Sequence, residues 1–291
     1  MTDSNNTLNA AGAGTFAIGG DLEVNRLGYG AMRITGEGIW GEPENPDEAK
    51  AVLKRVVELG INLIDTADSY GPDVSERLIG ETLTPYSDDM VIATKAGLVR
   101  GGPGDWKPSG RPEHIRDAIE GSLSRLKLET VDLYQLHRID PEVPAEESLG
   151  TMSDLVSEGK VRYVGLSEIS VDELRHAQGI LPIASVQNRY NLTDKGSEDV
   201  LEACEADGIA FIPWFPLASG ELSQPGGPVD EIAANHDASP GQVALAWLLR
   251  RSPVMLPIPG TSSVEHLEEN VAGASLQLTD DEYAELTKVS G

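Results

Sequence analysis

Four residues that could together donate a proton to a carbonyl oxygen stand at or just after apolar runs of the chain. The run that begins at Asn62 ends in Asp65, and Tyr70 follows one short loop later. The next run of this kind ends in Lys95, and the one after it ends in His137. If these runs are neighbouring parallel strands of a barrel, their carboxyl ends share one mouth, and the four side chains meet there.

The four side chains fit general acid catalysis by a tuned tyrosine. A tyrosine hydroxyl has an ordinary pKa of about 10 and donates poorly at neutral pH. A nearby lysine ammonium lowers that pKa, and an aspartate paired with the lysine keeps it charged and oriented. A histidine can hydrogen-bond the carbonyl and place it against the tyrosine. Singly, Asp65 could bond a loop backbone, Tyr70 could pack and His137 could be a core residue, but together they indicate catalysis.

Short apolar runs alternate with amphipathic stretches of helical length along almost the whole chain. Eight runs rich in β-branched residues lie near 26–32, 61–65, 90–95, 131–136, 161–166, 183–187, 209–213 and 254–258. Apolar strands separated by helices indicate a parallel sheet covered on its faces, and eight of them favour a closed barrel. The predicted fold class is therefore α/β, a (β/α)8 TIM barrel with extra C-terminal helices and an N-terminal β-hairpin over 15–25.

The predicted barrel forms a single domain over residues 15–291, because no shift in composition marks a boundary. Residues 1–14 are polar, small and aperiodic, and they are predicted to be a disordered tail. Loops rich in Gly and Pro follow predicted strands and should rim the mouth, at 34–45, 97–110 and 217–229. Trp40 and Trp106 fall in two of these loops, where each could wall a substrate pocket or pack within its own loop.

The charge balance argues against some classes of partner. The 291 residues include 48 Asp+Glu and 22 Lys+Arg, for a formal net charge of -26. Such a charge repels nucleic acid and anionic membrane surfaces. Because the acidic residues are scattered over many predicted helices, we interpret them as a solvated acidic surface and hypothesise a halophilic protein. A melting temperature that does not rise in molar salt would contradict that hypothesis.

The sequence predicts a cytoplasmic protein. The polar N-terminus lacks the basic and apolar regions of a signal peptide, and no window approaches about 18 uncharged apolar residues. The single cysteine, Cys204, cannot form an internal disulfide, and its helical context favours a small buried residue over a nucleophile. The oligomeric state stays open.

The proposed acid needs a source of hydride. The sequence has no His-x-x-x-His and no cluster of Cys and His, so no metal site is predicted and a flavin or a nicotinamide is implied. The pattern Gly12-Ala13-Gly14-Thr15-Phe16-Ala17 fits a dinucleotide fingerprint by letter, but it follows a polar tail instead of a strand. The cofactor is therefore predicted to bind at the barrel mouth.

The chain resembles the aldo-keto reductases over about residues 15–290. The resemblance rests on 27–32, 64–67 with Tyr70 and Gly71, 131–134 with His137, 164–167 and 258–261. Within the family, the pyridoxal reductase (pyridoxine 4-dehydrogenase) branch is most similar, through 214–217, 242–249, 251–253 and 259–264 with His266 and Leu267. The resemblance implies a cytosolic NADPH-dependent reductase of small aldehydes or ketones.

The resemblance also implies roles for individual residues. Tyr70 would be the acid, Lys95 and Asp65 its tuning pair, and His137 the residue that orients the carbonyl. Ser167 and Gln187 would hold the nicotinamide carboxamide, Trp214 would stack on its ring, and the pyrophosphate would lie along Leu217, Ser219 and Gly220. The adenosine end would contact Gly260, Thr261, Ser262, His266, Glu269 and Asn270. Further predicted cofactor contacts are Gly30, Ala31 and Met32.

Three positions depart from the family pattern. Glu168 stands where many members have an asparagine, which puts its cofactor contact in question. His266 and Gly260 stand where relatives have an arginine or a lysine, so the preference for NADP over NAD is expected to weaken, although Thr261 and Ser262 could compensate. NADP is the prediction, with NAD as the alternative.

Two other functions stay open from the sequence. One is a nicotinamide-binding sensor or regulatory module with little turnover, and the other is a barrel enzyme of another class, such as an isomerase. The intact set of four favours the reductase, while the carbonyl substrate stays unidentified.

Overall fold

A computed structural model describes residues 8–217 and 227–289, in which helices alternate with short strands. The strands are β1 (Thr15–Ile18), β2 (Leu22–Asn25), β3 (Tyr29–Gly30), β4 (Leu63–Asp65), β5 (Val91–Ala96), β6 (Leu98–Gly102), β7 (Asp105–Pro108), β8 (Val131–Leu136), β9 (Val161–Ser167), β10 (Ser185–Gln187) and β11 (Ala210–Phe211). The α-helices are α1 (Pro46–Glu58), α2 (Val74–Leu83), α3 (Pro112–Leu126), α4 (Ala145–Ser157), α5 (Val171–Gln178), α6 (Glu198–Asp207), α7 (Pro228–Asn235), α8 (Pro240–Arg251), α9 (Val264–Gly273) and α10 (Asp280–Thr287).

The parallel strands close into a barrel. They lie side by side in the order β3, β4, β5, β8, β9, β10 and β11. The last predicted run joins the two edges through backbone hydrogen bonds. Phe211 donates its N–H to the Val254 carbonyl at 2.8 Å, and Leu256 donates to Phe211 at 2.8 Å. On the other side, Gly28 donates to the Pro257 carbonyl at 3.0 Å. The predicted α/β class and (β/α)8 TIM barrel are confirmed.

Helix α1 illustrates how the sequence sets the surrounding helices. The Asn45 side chain accepts a hydrogen bond from the Glu48 N–H at 3.3 Å, and Pro46 occupies the first turn, where its missing N–H costs nothing. The apolar face that packs on the barrel consists of Ala49, Val52, Leu53 and Val56, while the neighbouring Val57 is 39% exposed.

The predicted N-terminal hairpin covers the end of the barrel opposite the mouth. β1 and β2 pair antiparallel, with Ile18 opposite Leu22. Ile18, Leu22 and Val24 share one buried apolar cluster with residues of the barrel strands, including Leu63 and Val91, which begin β4 and β5. Burial of this cluster fills the barrel near its N-terminal end, so the C-terminal end is the face available to a ligand.

The prediction of a disordered tail is wrong for residues 8–14. Ala10–Ala13 form a single 3₁₀ turn, which the Asn9 side chain caps by accepting from the Ala11 N–H at 2.8 Å. Ala10 is fully buried and donates its N–H to the Leu59 carbonyl at 2.8 Å. Small side chains allow this close approach to α1, and so short a turn leaves no apolar period in the sequence. Residues 1–7 lie outside the described residues.

The predicted mouth loop at 97–110 contains a second hairpin, β6 with β7. These strands pair antiparallel, with Arg100 opposite Trp106. The Arg100 guanidinium carbon lies 3.5 Å from the centroid of the Trp106 ring, and Arg100 Nη1 donates to the Ser69 carbonyl at 3.0 Å. Glycine and proline in this segment suggested an irregular loop, but contacts to distant backbone order it. Of the predicted loop at 217–229, residues 218–226 lie outside the described residues.

The helices of the described residues are all too short or too polar to cross a lipid bilayer. Cys204 is fully buried in α6, and burial raises the pKa of its thiol to about 12. A thiol of that kind is a poor nucleophile, as the interpretation of Cys204 as a small core residue requires.

Candidate active site

The four residues singled out from the sequence meet at the C-terminal end of three neighbouring strands. Asp65 ends β4, Lys95 lies near the end of β5, and His137 directly follows β8. Lys95 Nζ lies 2.5 Å from Asp65 Oδ1 and 3.4 Å from Tyr70 Oη. The Tyr70 and His137 rings meet edge to face, with centroids 5.8 Å apart. The structure therefore brings together all four side chains that the spacing predicted.

Asp65 is held by hydrogen bonds to both of its carboxylate oxygens. Lys95 binds Oδ1, while Gln135 Nε2 and Gln187 Nε2 donate to Oδ2 at 3.0 and 2.9 Å. A buried carboxylate with this many donors is fixed in orientation. Gln135 was not predicted as a site residue, although an amide inside the apolar strand β8 was an available signal.

Lys95 is completely buried and remains a charged donor. Its ammonium donates to Asp65, to the Thr66 carbonyl at 2.9 Å and to Tyr70. Burial opposes the charge, but the attraction of Asp65 and Tyr70 outweighs it and leaves the pKa of Lys95 above its ordinary value. The lysine therefore carries its positive charge to the phenol across the neutral range.

The pKa of Tyr70 differs in direction from the value expected from the sequence. Burial raises the pKa of Tyr70, and the charge of Lys95 opposes this rise without overcoming it. The ammonium lies 2.5 Å from Asp65 Oδ1 and 3.4 Å from the phenol oxygen, so it is shared with Asp65, and burial has the larger effect on the pKa of Tyr70. Tyr70 is consequently protonated at neutral pH, and Lys95 limits how far the pKa rises.

His137 is a neutral imidazole at physiological pH. Burial lowers its pKa well below the ordinary value, and the charges of Lys95 and Arg138 act in the same direction. Its Nδ1 lies 3.4 Å from Ser69 Oγ, which orients the ring. A neutral imidazole beside a phenol can offer an N–H to a carbonyl oxygen without adding a charge.

A cavity of about 770 Å³ opens above these residues. Its wall includes Asp65, Tyr70 and His137. The predicted cofactor residues in its wall are Gly30, Met32, Ser167, Gln187, Trp214, Leu217 and Gly260. Seven of the predicted cofactor contacts thus face the same space as the candidate acid.

The other predicted cofactor residues that the structure describes do not line this cavity. Ala31 is buried, and its carbonyl accepts from Ser75 Oγ at 3.0 Å. Thr261 is buried, and its carbonyl accepts from the hydroxyl of Tyr29 at 2.6 Å. Asn270 is buried in α9, while three residues near the start and middle of that helix are exposed, namely Ser262, His266 and Glu269. Ser219 and Gly220 lie outside the described residues.

The two mouth tryptophans have different positions. Trp106 lines the cavity, with its ring centroid 6.4 Å from those of both Tyr70 and His137. Trp40 does not line the cavity and packs near Arg100, whose guanidinium carbon lies 5.5 Å from the Trp40 centroid. Trp40 therefore has a packing role among the loops, whereas Trp106 forms part of the pocket wall.

Two arginines on the cavity wall were not predicted as site residues. Arg138 directly follows His137, and its Nη1 donates to Ser167 Oγ at 3.0 Å and to the His137 carbonyl at 2.6 Å. Arg33 is exposed on the wall beside Gly260. A cation directly after a strand-end histidine was a signal in the sequence for Arg138.

A sequence profile of the aldo/keto reductase family matches residues 26–290. The chain belongs to this family. It is 52% identical over 285 residues to an uncharacterized oxidoreductase of Schizosaccharomyces pombe, with 98% of this chain and 92% of the relative covered. It is 40% identical over 282 residues to the pyridoxine 4-dehydrogenase of Escherichia coli, with 95% and 98% covered.

Solved aldo/keto reductases share the fold. A Klebsiella pneumoniae member in complex with NADP and acetate superposes with a TM-score of 0.80 at 26% identity, covering 94% of this chain and 93% of that one. The aldo/keto reductase family uses NAD(P)H. These matches confirm the family suggested by the motifs, and the E. coli relative belongs to the branch that the motifs indicated.

The cavity fits the nicotinamide end of the cofactor that aldo/keto reductases use. Ser167 Oγ accepts from Arg138 and so keeps its own hydrogen to donate, which suits a carboxamide oxygen. The Gln187 side chain donates from its NH₂ group to Asp65, and its carbonyl oxygen can accept a hydrogen bond from a carboxamide NH₂. In the described part of the chain, no group of three or more His, Cys, Asp or Glu is placed to hold a metal ion.

The Glu168 side chain holds the Trp214 indole in place through a hydrogen bond. Its Oε1 accepts from Trp214 Nε1 at 2.5 Å and from the Arg189 N–H at 2.7 Å. The residue has a left-handed backbone, with φ of 57°, a conformation that asparagine adopts more readily than glutamate. Many aldo/keto reductases have an asparagine at this position. In this protein, the longer carboxylate side chain of Glu168 reaches the Trp214 indole and holds it in place.

Proposed function

We propose that the protein is an NADPH-dependent reductase of aldehydes or ketones, in which Tyr70 is the general acid. The observation that carries the proposal is the buried chain of contacts from Asp65 through Lys95 to Tyr70, on the wall of a cavity large enough for a cofactor and a small substrate. The family membership of the chain supports the same reaction class.

The four residues divide the work of protonation. His137 is neutral and donates an N–H to the carbonyl oxygen, which holds that oxygen against the Tyr70 hydroxyl. Tyr70 donates its proton to the oxygen as negative charge develops there. Lys95 stabilises the phenolate that remains, and Asp65 holds Lys95 in place. The nicotinamide, when bound, supplies the hydride to the carbonyl carbon.

We propose that Ser167, Gln187 and Trp214 hold the nicotinamide, and that the wall near Gly260 leads to the adenosine end. Arg33 is a cation on that wall. Its charge partly replaces that of the lysine or arginine that relatives carry at the positions of Gly260 and His266. An NADP complex is known for the K. pneumoniae relative. These points support NADPH over NADH, and a tenfold higher kcat/KM with NADH would reverse this assignment.

We further propose aromatic and heteroaromatic aldehydes, including pyridoxal, as the substrate class. Aromatic side chains surround the reaction end of the cavity, namely Tyr70, Trp106, His137, Trp214 and Phe215. Flat aromatic ligands pack well against such walls. The 40% identity to a pyridoxine 4-dehydrogenase supports the same class.

The test is oxidation of NADPH and NADH against a panel of carbonyl compounds, in low and in molar salt. The panel contains pyridoxal, pyridine and benzaldehyde derivatives, methylglyoxal and a simple sugar. We expect the highest kcat/KM with the aromatic aldehydes and NADPH. Preferred turnover of methylglyoxal or the sugar would contradict the substrate class, and absence of turnover with every carbonyl would contradict the reductase.

Glu168→Ala is expected to weaken NADPH binding by roughly 2- to 10-fold, the value of one or two hydrogen bonds, with little change in kcat. The reason is that the variant loses the acceptor that fixes the Trp214 indole. Quenching of tryptophan fluorescence by NADPH measures the affinity. Glu168→Gln keeps an acceptor oxygen and serves as the matched control.

A double-mutant cycle separates this role from a general loss of structure. If Glu168 acts through Trp214, Glu168→Ala costs much less affinity in a Trp214→Phe background than in the natural protein. Equal costs in the two backgrounds would show that Glu168 acts independently of the indole.

A further inference from the structure

Arg138 is a cation that makes no salt bridge among the described residues of a strongly acidic chain. The protein has more than twice as many acidic as basic residues, yet among the described residues no carboxylate oxygen lies within 4.0 Å of its guanidinium. Within the same residues its hydrogen bonds run only through Nη1, to Ser167 Oγ and the His137 carbonyl. Nε and Nη2 therefore remain as donors on the wall of the cavity.

The guanidinium lies at the reaction end of the cavity. It donates to the carbonyl of His137, which is proposed to orient the substrate carbonyl, and to Ser167, which is proposed to hold the nicotinamide. The described wall contains one carboxylate, that of Asp65, and its charge is already balanced by Lys95. Since His137 is neutral, Arg138 is the remaining cation beside it, and the carboxylate of Glu168 attracts this guanidinium only from beyond 4.0 Å.

The second cavity arginine lies elsewhere. The side chain of Arg33 passes the backbone of Gly260, with its Cγ 3.6 Å from where a Cβ would stand on that glycine. Gly260 belongs to the segment assigned above to the adenosine end of the cofactor. A phosphate of the cofactor would account for Arg33. Of the Arg138 donors, only Nη1 contacts a residue proposed to hold the cofactor, Ser167, so Nε and Nη2 remain for another ligand.

We propose that Arg138 is a specificity-determining residue that binds an anionic oxygen carried by the substrate close to its carbonyl group. This inference rests on the proposed function and names its substrate class more closely. Two kinds of compound share the required chemistry: aromatic aldehydes with an ionised hydroxyl on the adjacent ring carbon, and 2-oxo acids. A half-buried guanidinium gives a charge-assisted hydrogen bond to such an oxygen that is stronger than one in water.

Matched substrate pairs test the proposal. The first pair is 3-hydroxypyridine-4-carbaldehyde and pyridine-4-carbaldehyde, and the second is phenylglyoxylate and its methyl ester. In the natural protein, the anionic member of at least one pair should have the higher kcat/KM, and the pair identifies the source of the oxygen. Arg138→Gln should raise KM for that member by roughly 10- to 100-fold, as for a lost hydrogen bond to a charged group, and this rise should clearly exceed any change for the neutral member.

Two further variants control for indirect effects. Arg138→Lys keeps the charge and should keep part of the preference. Arg111→Gln removes an arginine that does not line the cavity and should leave the preference unchanged. If Arg138→Gln lowers kcat equally for both members of each pair, or if the preference survives it, the residue does not read the substrate charge and the proposal is wrong.

A binding measurement keeps this inference separable from the proposed function. Benzoate, titrated against tryptophan fluorescence, should bind the natural protein and bind Arg138→Gln at least tenfold more weakly. Equal affinity for benzoate would overturn the anion site even if carbonyl reduction is confirmed. Weakened affinity in a protein that reduces none of the carbonyls would support the anion site while the reductase fails.

Discussion

Tyr70→Phe is expected to lower kcat for carbonyl reduction by about 10²- to 10⁴-fold, the range that a positioned general acid contributes. The ring remains between Trp106 and His137, so the cavity keeps its shape and NADPH affinity should change by less than about threefold. Single-turnover oxidation of bound NADPH measures the chemical step, and fluorescence titration measures the affinity.

The matched control for this variant is Tyr163→Phe. The Tyr163 hydroxyl bonds Asp21 at 2.6 Å near the N-terminal end of the barrel, far from the mouth. Removal of that hydroxyl should leave kcat unchanged. A Tyr70→Phe variant with natural activity would mean that another group protonates the carbonyl oxygen.

Lys95→Met is expected to be comparably severe for catalysis and, in addition, costly for folding. Burial then raises the pKa of Tyr70 with no ammonium to oppose it, so the phenolate formed on proton transfer is not stabilised. The variant also leaves the buried carboxylate of Asp65 without its cation, which costs about 3–5 kcal/mol of unfolding free energy. Urea denaturation and the pH profile of kcat measure the two effects.

The double variant Asp65→Asn with Lys95→Met distinguishes these effects. It removes both charges, so much of the lost stability should return, while kcat should stay low. Recovery of kcat together with stability would show that Lys95 serves folding and not the acidity of Tyr70.

The positions of the four candidate residues could be predicted because Asp65, Lys95 and His137 are polar residues at the ends of apolar strands, and Tyr70 follows one of these strands after a short loop. A buried lysine at the end of β5 has few alternatives to a cleft, and parallel strands bring their carboxyl ends together whatever the details of the loops. The eighth strand position was also predicted, although its backbone joins the barrel through few hydrogen bonds.

Features that depend on distant contacts could not be predicted. The direction of the Tyr70 pKa depends on how completely the phenol is buried, and the hairpin of β6 and β7 depends on Arg100 reaching the Ser69 carbonyl. Trp40 and Trp106 look equivalent in the sequence, since both lie in glycine-rich loops. Only the pairing of β6 with β7 turns Trp106, and not Trp40, toward Tyr70.

Few backbone hydrogen bonds close the barrel between β11 and β3, and this has a consequence for cofactor binding. The chain at 254–257 is joined to Phe211 by two backbone hydrogen bonds and to Gly28 by one. The proposed cofactor contacts Trp214 and Gly260 lie on either side of this segment. A dinucleotide that contacts both residues would stabilise the closure of the barrel at this segment. Amide hydrogen exchange at 210–213 and 254–258 should then slow on addition of NADPH, and unchanged exchange there would show that the barrel closes without help from its ligand.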